Sequence, residues 1–283
     1  MKVTELAPAK LNLTLEVGEK RSDGYHEVQS VMSCAALYDE VTLERGVGGG
    51  ITMSCDCPDL PCDETNLCLR AAKLFFQKTG IACDGLRIGL TKRIPMQAGL
   101  GGGSADAAAV LRGLRKLYRP EMMIKELERM AADLGSDVPF CVRGVTAMVR
   151  GRGEQLLKLP KLPLCWFVIC KPDVSFSTPE MYARLDEKKP TCTIDSLGLI
   201  KALEYQDMLE ISDRLGNCFE GVLGDDSEIF AIKKRLLALG ARNACMSGSG
   251  SAVYGLFTQE DAAKAAAEEL KKTYPRTWFA ESV

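Results

Sequence analysis

From position 95 the chain reads Pro95-Met96-Gln97-Ala98-Gly99-Leu100-Gly101-Gly102-Gly103-Ser104-Ala105, with glycine at four of the five positions from 99 to 103. Glycines at that density reach backbone angles closed to other residues, so the loop can turn its N–H groups inward around an anion. The chemistry this suits is phosphate binding, because the flanking segments have the right character. Residues 86–93 alternate as a strand does, and Ala107, Val110, Leu111, Leu114, Leu117 and Tyr118 then recur at helical spacing. Ser104 stands where an N-cap belongs and Asp106 falls in the first turn. A Walker A loop would need a lysine here, and the dinucleotide fingerprint would need glycine at position 104, so neither pattern is met. A glycine-rich surface turn ahead of a helix is the competing reading.

Other chemistry-bearing residues are sparse. His26 is the only histidine, which excludes paired-histidine zinc motifs and leaves one imidazole for any acid–base role. It follows Tyr25 after a Ser22-Asp23-Gly24 turn. Cys55, Cys57 and Cys62, with Cys68 beyond, could wrap a metal ion, but their spacing is irregular and no histidine is near, so no metal is expected. Twelve cysteines without a secretion-type N-terminus read as free thiols in a reducing compartment. Lys10 and Asn12 lie opposite the leucines of an alternating segment, which is ordinarily a solvated face. Asp137, in Gly135-Ser136-Asp137-Val138-Pro139, reads first as a turn or N-cap aspartate.

These residues need elements to hold them. Strands are expected at 11–17, 39–44, 165–170, 252–257 and 278–282, with an apolar stretch at 28–37, and helices at 66–78, 121–134, 196–204, 208–219, 227–239 and 260–273. A second glycine-serine loop, Ser247-Gly248-Ser249-Gly250-Ser251, leads into one of those strands. Strands and helices mix without regular alternation, so the fold class is α+β. With 283 residues and 46% apolar content the chain suits two modest domains. The segment Leu159-Pro160-Lys161-Leu162-Pro163 is the expected linker, giving domains 1–158 and 159–283. A formal charge of −2 without long runs of one sign argues against nucleic acid or an anionic membrane as partner. No apolar run approaches a membrane span, and a cytoplasmic location is expected.

The loop from Pro95 to Ala105 resembles the central motif of the GHMP kinases, the superfamily of galactokinase, homoserine kinase, mevalonate kinase and phosphomevalonate kinase. In order, PAKLNLTL, RSDGYHEVQSVM, DETNLCLRAA, GSDVPFCVRG, KPDVSFSTPEMY and MSGSGSAVYGLF resemble landmarks of the branch that phosphorylates a cytidylyl methylerythritol alcohol in the non-mevalonate isoprenoid pathway. The resemblance implies an N-terminal domain like the second domain of ribosomal protein S5, with a left-handed β-α-β unit around the loop, and a ferredoxin-like C-terminal domain. It implies ATP with Mg2+ as phosphoryl donor, cradled by Pro95 through Ala105, and a cytidylyl small molecule as acceptor. Asp137 falls on the family's catalytic base and Lys10 on its catalytic lysine; an ammonium near a carboxylate keeps it ionised, and phosphoryl transfer needs mainly positioning and charge stabilisation. Asn12 falls at the methylerythritol end. Tyr25, His26 and Tyr182 match the cytidine grip, Asn66 and Lys92 the adenosine pocket, and 247–251 a loop closing over the phosphates.

Three positions depart from the family pattern. Gln97 stands where many members have glycine or alanine, Ala105 replaces a second serine found in some, and Tyr182 stands where others carry Phe. None removes a catalytic group. A monomer or weak homodimer is expected. The alternatives are another small-molecule kinase of the superfamily, acting on a phosphorylated mevalonate or homoserine, and a non-catalytic nucleotide-binding sensor. Retention of both Lys10 and Asp137 speaks against the sensor, and the Tyr25-His26 pair separates this branch from the other kinases.

Overall fold

A computed structural model describes residues 1–191 and 193–283. They form two compact units: one of Met1–Ala9, Tyr38–Met96 and Gly101–Gly144, the other of Lys10–Leu37, Gln97–Leu100 and Val145–Val283. Two long strands, β1 (Lys2–Lys20) and β2 (His26–Arg45), supply residues to both. The stretches 28–37 and 39–44, read separately from sequence, are therefore one strand. The expected solvated face on β1 is absent: Lys10, Asn12 and Thr14 are 4%, 0% and 0% exposed. Their polar groups are buried because each finds a hydrogen-bond partner, Lys10 Nζ on Asn12 Oδ1 at 2.6 Å, Asn12 Nδ2 on Ser30 Oγ at 2.8 Å, and Thr14 Oγ1 paired with Ser196 Oγ at 2.7 Å.

In the first unit, β3 (Ile51–Cys55) pairs in parallel with β4 (Leu86–Thr91), and β4 runs antiparallel to Glu40–Arg45 of β2. Four helices complete it: α1 (Leu67–Thr79), α2 (Gly102–Tyr118), α3 (Ile124–Ala131) and α4 (Val138–Arg143). Helix α1 begins at Asn66, whose side chain accepts the Cys68 N–H at 2.9 Å, and stops at Gly80, which takes the left-handed conformation. Small residues let α2 sit deep: Ala105, Ala107, Ala108 and Ala109 are fully buried, and a Cβ on Gly113 would collide with Leu43. Helices α1 and α4 pack against α2, and α3 packs on α4.

In the second unit β5 (Ala147–Gly151) runs antiparallel to Val28–Met32 of β2, and β6 (Gln155–Lys158) antiparallel to β5. The chain continues through β7 (Trp166–Cys170), α5 (Thr178–Lys188), α6 (Ser196–Glu204) and α7 (Met208–Asp213). Then come β8 (Gly216–Asn217), a 3-10 turn at Cys218–Val222, α8 (Glu228–Ala238), β9 (Asn243–Met246), β10 (Val253–Phe257), α9 (Glu260–Lys271) and β11 (Thr277–Glu281). The expected helix 208–219 stops at Asp213 because Gly216 and Asn217 pair in parallel with Thr14 and Leu15 of β1. Strands β11-β7-β10-β9 form a sheet with every neighbouring pair antiparallel, the ferredoxin-like order, with α8 on β9 and β10, and α9 on β7 and β11. The fold is α+β, as expected.

Among the described residues, ten cysteines lie outside any disulfide. Cys218 is disulfide-bonded, so the expectation of uniformly free thiols fails there; composition and compartment say nothing about which thiols a fold brings together. Cys192, included in that expectation, lies outside the described residues.

Candidate active site

The segment Gln97–Leu100 is held by backbone and serine contacts within the second unit. The Lys10 N–H donates to the Leu100 carbonyl at 2.9 Å, the Ala252 N–H to the Ala98 carbonyl at 3.0 Å, and Ser247 Oγ to the Gly99 carbonyl at 3.0 Å. Gly99 has φ +74°, and a Cβ on it would overlap the Ser247 carbonyl oxygen, so only glycine fits. Gln97 also takes a left-handed angle, φ +52°. Glutamine here accepts a conformation that costs an ordinary residue about 1 kcal/mol.

Around this segment the 247–251 loop is fixed by side chains the sequence did not single out. Asn217 Nδ2 donates to the Met246 and Gly248 carbonyls at 2.7 and 2.8 Å, and Glu220 accepts the Met246 N–H at 2.7 Å. Asn12 Oδ1 accepts both the Gly248 N–H at 2.9 Å and Lys10 Nζ at 2.6 Å. Asn12 thus orients the Lys10 ammonium and the loop. The arrangement sets a buried cation beside a glycine-rich turn, as charge stabilisation of a phosphoryl group requires.

His26 and Tyr182 come together in the same unit: their rings stack at 4.8 Å, tilted 25°, and Phe219 packs edge-on to Tyr182 at 5.0 Å. His26 Nε2 lies 2.7 Å from Asp186 Oδ1. That hydrogen bond is the main cause holding the Asp186 carboxyl below its ordinary pKa. An ionised carboxylate only accepts, so Nε2 carries the hydrogen, and in the neutral form of the ring Nδ1 is then the acceptor. Tyr25 is instead exposed, with the Arg152 guanidinium 4.9 Å over its ring. Asp186 sits on α5, a helix not expected from sequence although Ser177 caps it and Pro179 opens it.

The remainder of the loop belongs to the first unit. Helix α2 starts one turn earlier than expected: its N-cap is Gly101 at φ +66°, so Ser104 lies inside the first turn and Asp106 beyond it. The left-handed glycine turns the chain into the helix before the serine is reached. Pro95, Met96, Gly102, Gly103 and Ala105 complete the loop; Gly103 is exposed, and Ala105 is fully buried, where a serine hydroxyl would need a partner. Lys92 points into the unit, its ammonium bonded to Asp39 and, at 2.7 Å, to Asp106. Burial pulls the Lys92 pKa down, but the two carboxylates outweigh it and the net direction is up; burial is the largest influence on Asp106 and drives its pKa up. Asn66 uses its side chain on the cap of α1 and on the Pro61 carbonyl at 2.7 Å. Asp137 opens α4 without capping it by its side chain and is half-buried, so its carboxylate is not committed to the helix end.

Among the described residues no group of three or more His, Cys, Asp or Glu side chains is arranged to hold a metal ion. Cys55 and Cys62 bond locally, to Asp56 and to the Leu60 carbonyl. Among the described residues no helix is long and apolar enough to cross a membrane.

Residues 66–145 match the GHMP kinases N terminal domain and residues 199–276 the GHMP kinases C terminal family. A 4-diphosphocytidyl-2-C-methyl-D-erythritol kinase of Macrococcus caseolyticus is 42% identical over 270 residues, covering 95% of both chains. Among solved structures, a 4-(cytidine 5'-diphospho)-2C-methyl-D-erythritol kinase superposes with a TM-score of 0.84 at 36% identity, over 99% of each chain. A homoserine kinase of Cytophaga hutchinsonii shares the fold, with a TM-score of 0.76 at 22% identity over 100% of this chain and 94% of its own. The chain therefore belongs to the 4-diphosphocytidyl-2-C-methyl-D-erythritol kinases, within the GHMP kinases.

Proposed function

We propose that this protein transfers the γ-phosphoryl group of ATP to the 2-hydroxyl of 4-diphosphocytidyl-2-C-methyl-D-erythritol, a step of the non-mevalonate isoprenoid pathway. The observation that carries the reading is identity of 42% along 95% of the chain with a kinase of that name. Asp137 takes the proton from the attacking hydroxyl, and the Lys10 ammonium, oriented by Asn12, steadies the charge that develops on the phosphoryl oxygens. Backbone N–H groups of the glycine loop and the first turn of α2 receive the phosphates. When bound with the nucleotide, Mg2+ would supply neutralisation of the phosphate charge. The loop offers Ser104 as its one hydroxyl, a donor set that fits an ion held chiefly by the nucleotide itself.

Asn66 and Lys92 serve the adenosine side by shaping the start of α1 and the strand ahead of the loop, and Tyr25, His26 and Tyr182 serve the cytidine. The family's two domains divide at 158/159, supported by matched regions that fall one on each side. The protein works in the cytoplasm as a monomer or weak homodimer. A coupled assay presenting ATP with the cytidylyl substrate, beside homoserine and mevalonate phosphates, tests the reading. ADP release with the cytidylyl substrate alone is expected; turnover of another acceptor in its place would overturn it.

A further inference from the structure

We propose that Asp39 is a positioning residue for nucleotide binding: through Lys92 and Asp106 it ties the chain entering the glycine loop to the helix leaving it. The inference rests on the reading that this loop binds ATP. Asp39 is fully buried on β2. Its Oδ1 accepts the N–H groups of Arg93 and Ile94, the last residues before Pro95, and its Oδ2 meets the Lys92 ammonium. The same ammonium reaches Asp106 Oδ2 at 2.7 Å, on α2 just past the loop. Gly102 lies where this link passes: a Cβ there would stand 3.3 Å from Lys92 Nζ and 3.2 Å from Ile94 Cγ2. The entry of the loop is thus held to the Asp39 carboxylate, and the exit is held to the entry through the Lys92 ammonium.

Stability does not account for the cluster. Buried ion pairs are often no better than apolar residues of the same size, and this one holds two carboxylates for one ammonium, leaving Asp106 Oδ1 without a hydrogen-bond partner. What three buried ionisable groups supply is direction and distance. A phosphate cradle needs that, because its N–H groups bind only when their spacing is fixed in advance.

Asp39 and Asp106 are 0% and 1% exposed, so neither touches a nucleotide and any effect on ATP passes through the loop. Steady-state kinetics on Asp39→Asn and Asp106→Ala should show the KM for ATP raised at least tenfold, with the KM for the cytidylyl substrate within about twofold of the parent. Asp106→Asn keeps a carbonyl oxygen for Lys92 and should bring the ATP KM back to within about threefold. If Asp39→Asn does not fold, Asp106→Ala decides, since it removes the surplus carboxylate and leaves a matched pair. An unchanged ATP KM in Asp106→Ala, or both KM values rising together, would overturn the proposal. Failure of the parent itself to bind ATP in calorimetry would overturn the reading of the loop instead.

Discussion

Lys10 and Asn12 have the spacing of surface residues and the burial of core residues, and the difference lies in partners that sequence spacing does not reveal. Asn12 meets Gly248 and Ser30, from distant parts of the chain, so its burial follows from tertiary hydrogen bonding. Asp137 shows the same limit. Its local sequence reads as a cap, yet its side chain does not cap α4. Only the resemblance marked it as the base. Asp137→Asn preserves size and leaves the carbonyl acceptor but cannot take a proton, so kcat should fall by about 10²–10⁴ while both KM values stay near the parent's. Turnover within a few fold of the parent, measured by coupled assay, would reduce Asp137 to a structural residue. Asp39, Asn217 and Asp186 were illegible because nothing in their local sequence sets them apart, and Asp106 read only as a first-turn aspartate; the importance of each is created by what the fold brings to it.

Elements whose ends are marked by local chemistry were legible. Asn66 and Gly80 bracket α1, and α6 spans Ser196–Glu204 as its periodicity requires. Elements defined by partners were not: β8 exists because β1 lies beside it, and its two residues carry no strand signal. The glycine loop falls between these cases. Its glycine density and its place between a strand and a helix were plain, but the start of α2 was set by the backbone angle of Gly101 rather than by the side chain of Ser104. Gln97 tests the same physics. At φ +52° a glycine loses no steric energy, although it gains freedom in the unfolded chain. Gln97→Gly should therefore change stability by no more than about 0.5 kcal/mol, whereas Gln97→Val, branched at Cβ, should lower it by about 1–2 kcal/mol. Urea unfolding of both variants measures this. Equal stability of the valine variant and the parent would mean that the loop does not hold its left-handed turn in solution.

At the scale of the whole molecule the fold does not select the substrate, since a homoserine kinase adopts it at 22% identity. Selection has to come from side chains placed on a shared frame, and the cytidine grip proposed above assigns it to His26 and Tyr182, with Asp186 bonded to the imidazole. Tyr182 covers one face of the imidazole, and Asp186 accepts from Nε2, which makes Nδ1 the acceptor in the neutral form of the ring. Cytosine presents an exocyclic amine, a donor, at the position where uracil presents a carbonyl oxygen. An acceptor at fixed height therefore pairs with the first and is left opposite another acceptor by the second. Mismatches of this kind at a buried polar group are discriminated more strongly than a missing methylene. His26→Ala should raise the KM for the cytidylyl substrate about tenfold or more, leave the KM for ATP near its parent value, and narrow the preference for the cytidylyl over the uridylyl analogue. Asp186→Asn should act in the same direction but less, because the amide oxygen still accepts from Nε2 while the charge that fixes the tautomer is gone. Neither variant should gain activity on homoserine, because loss of base recognition creates no site for a different acceptor. The decisive measurement is the ratio of kcat/KM for the two analogues in parent and variants. A ratio unchanged by His26→Ala would remove the imidazole from base recognition and leave the selection to Tyr25 and to backbone groups around it.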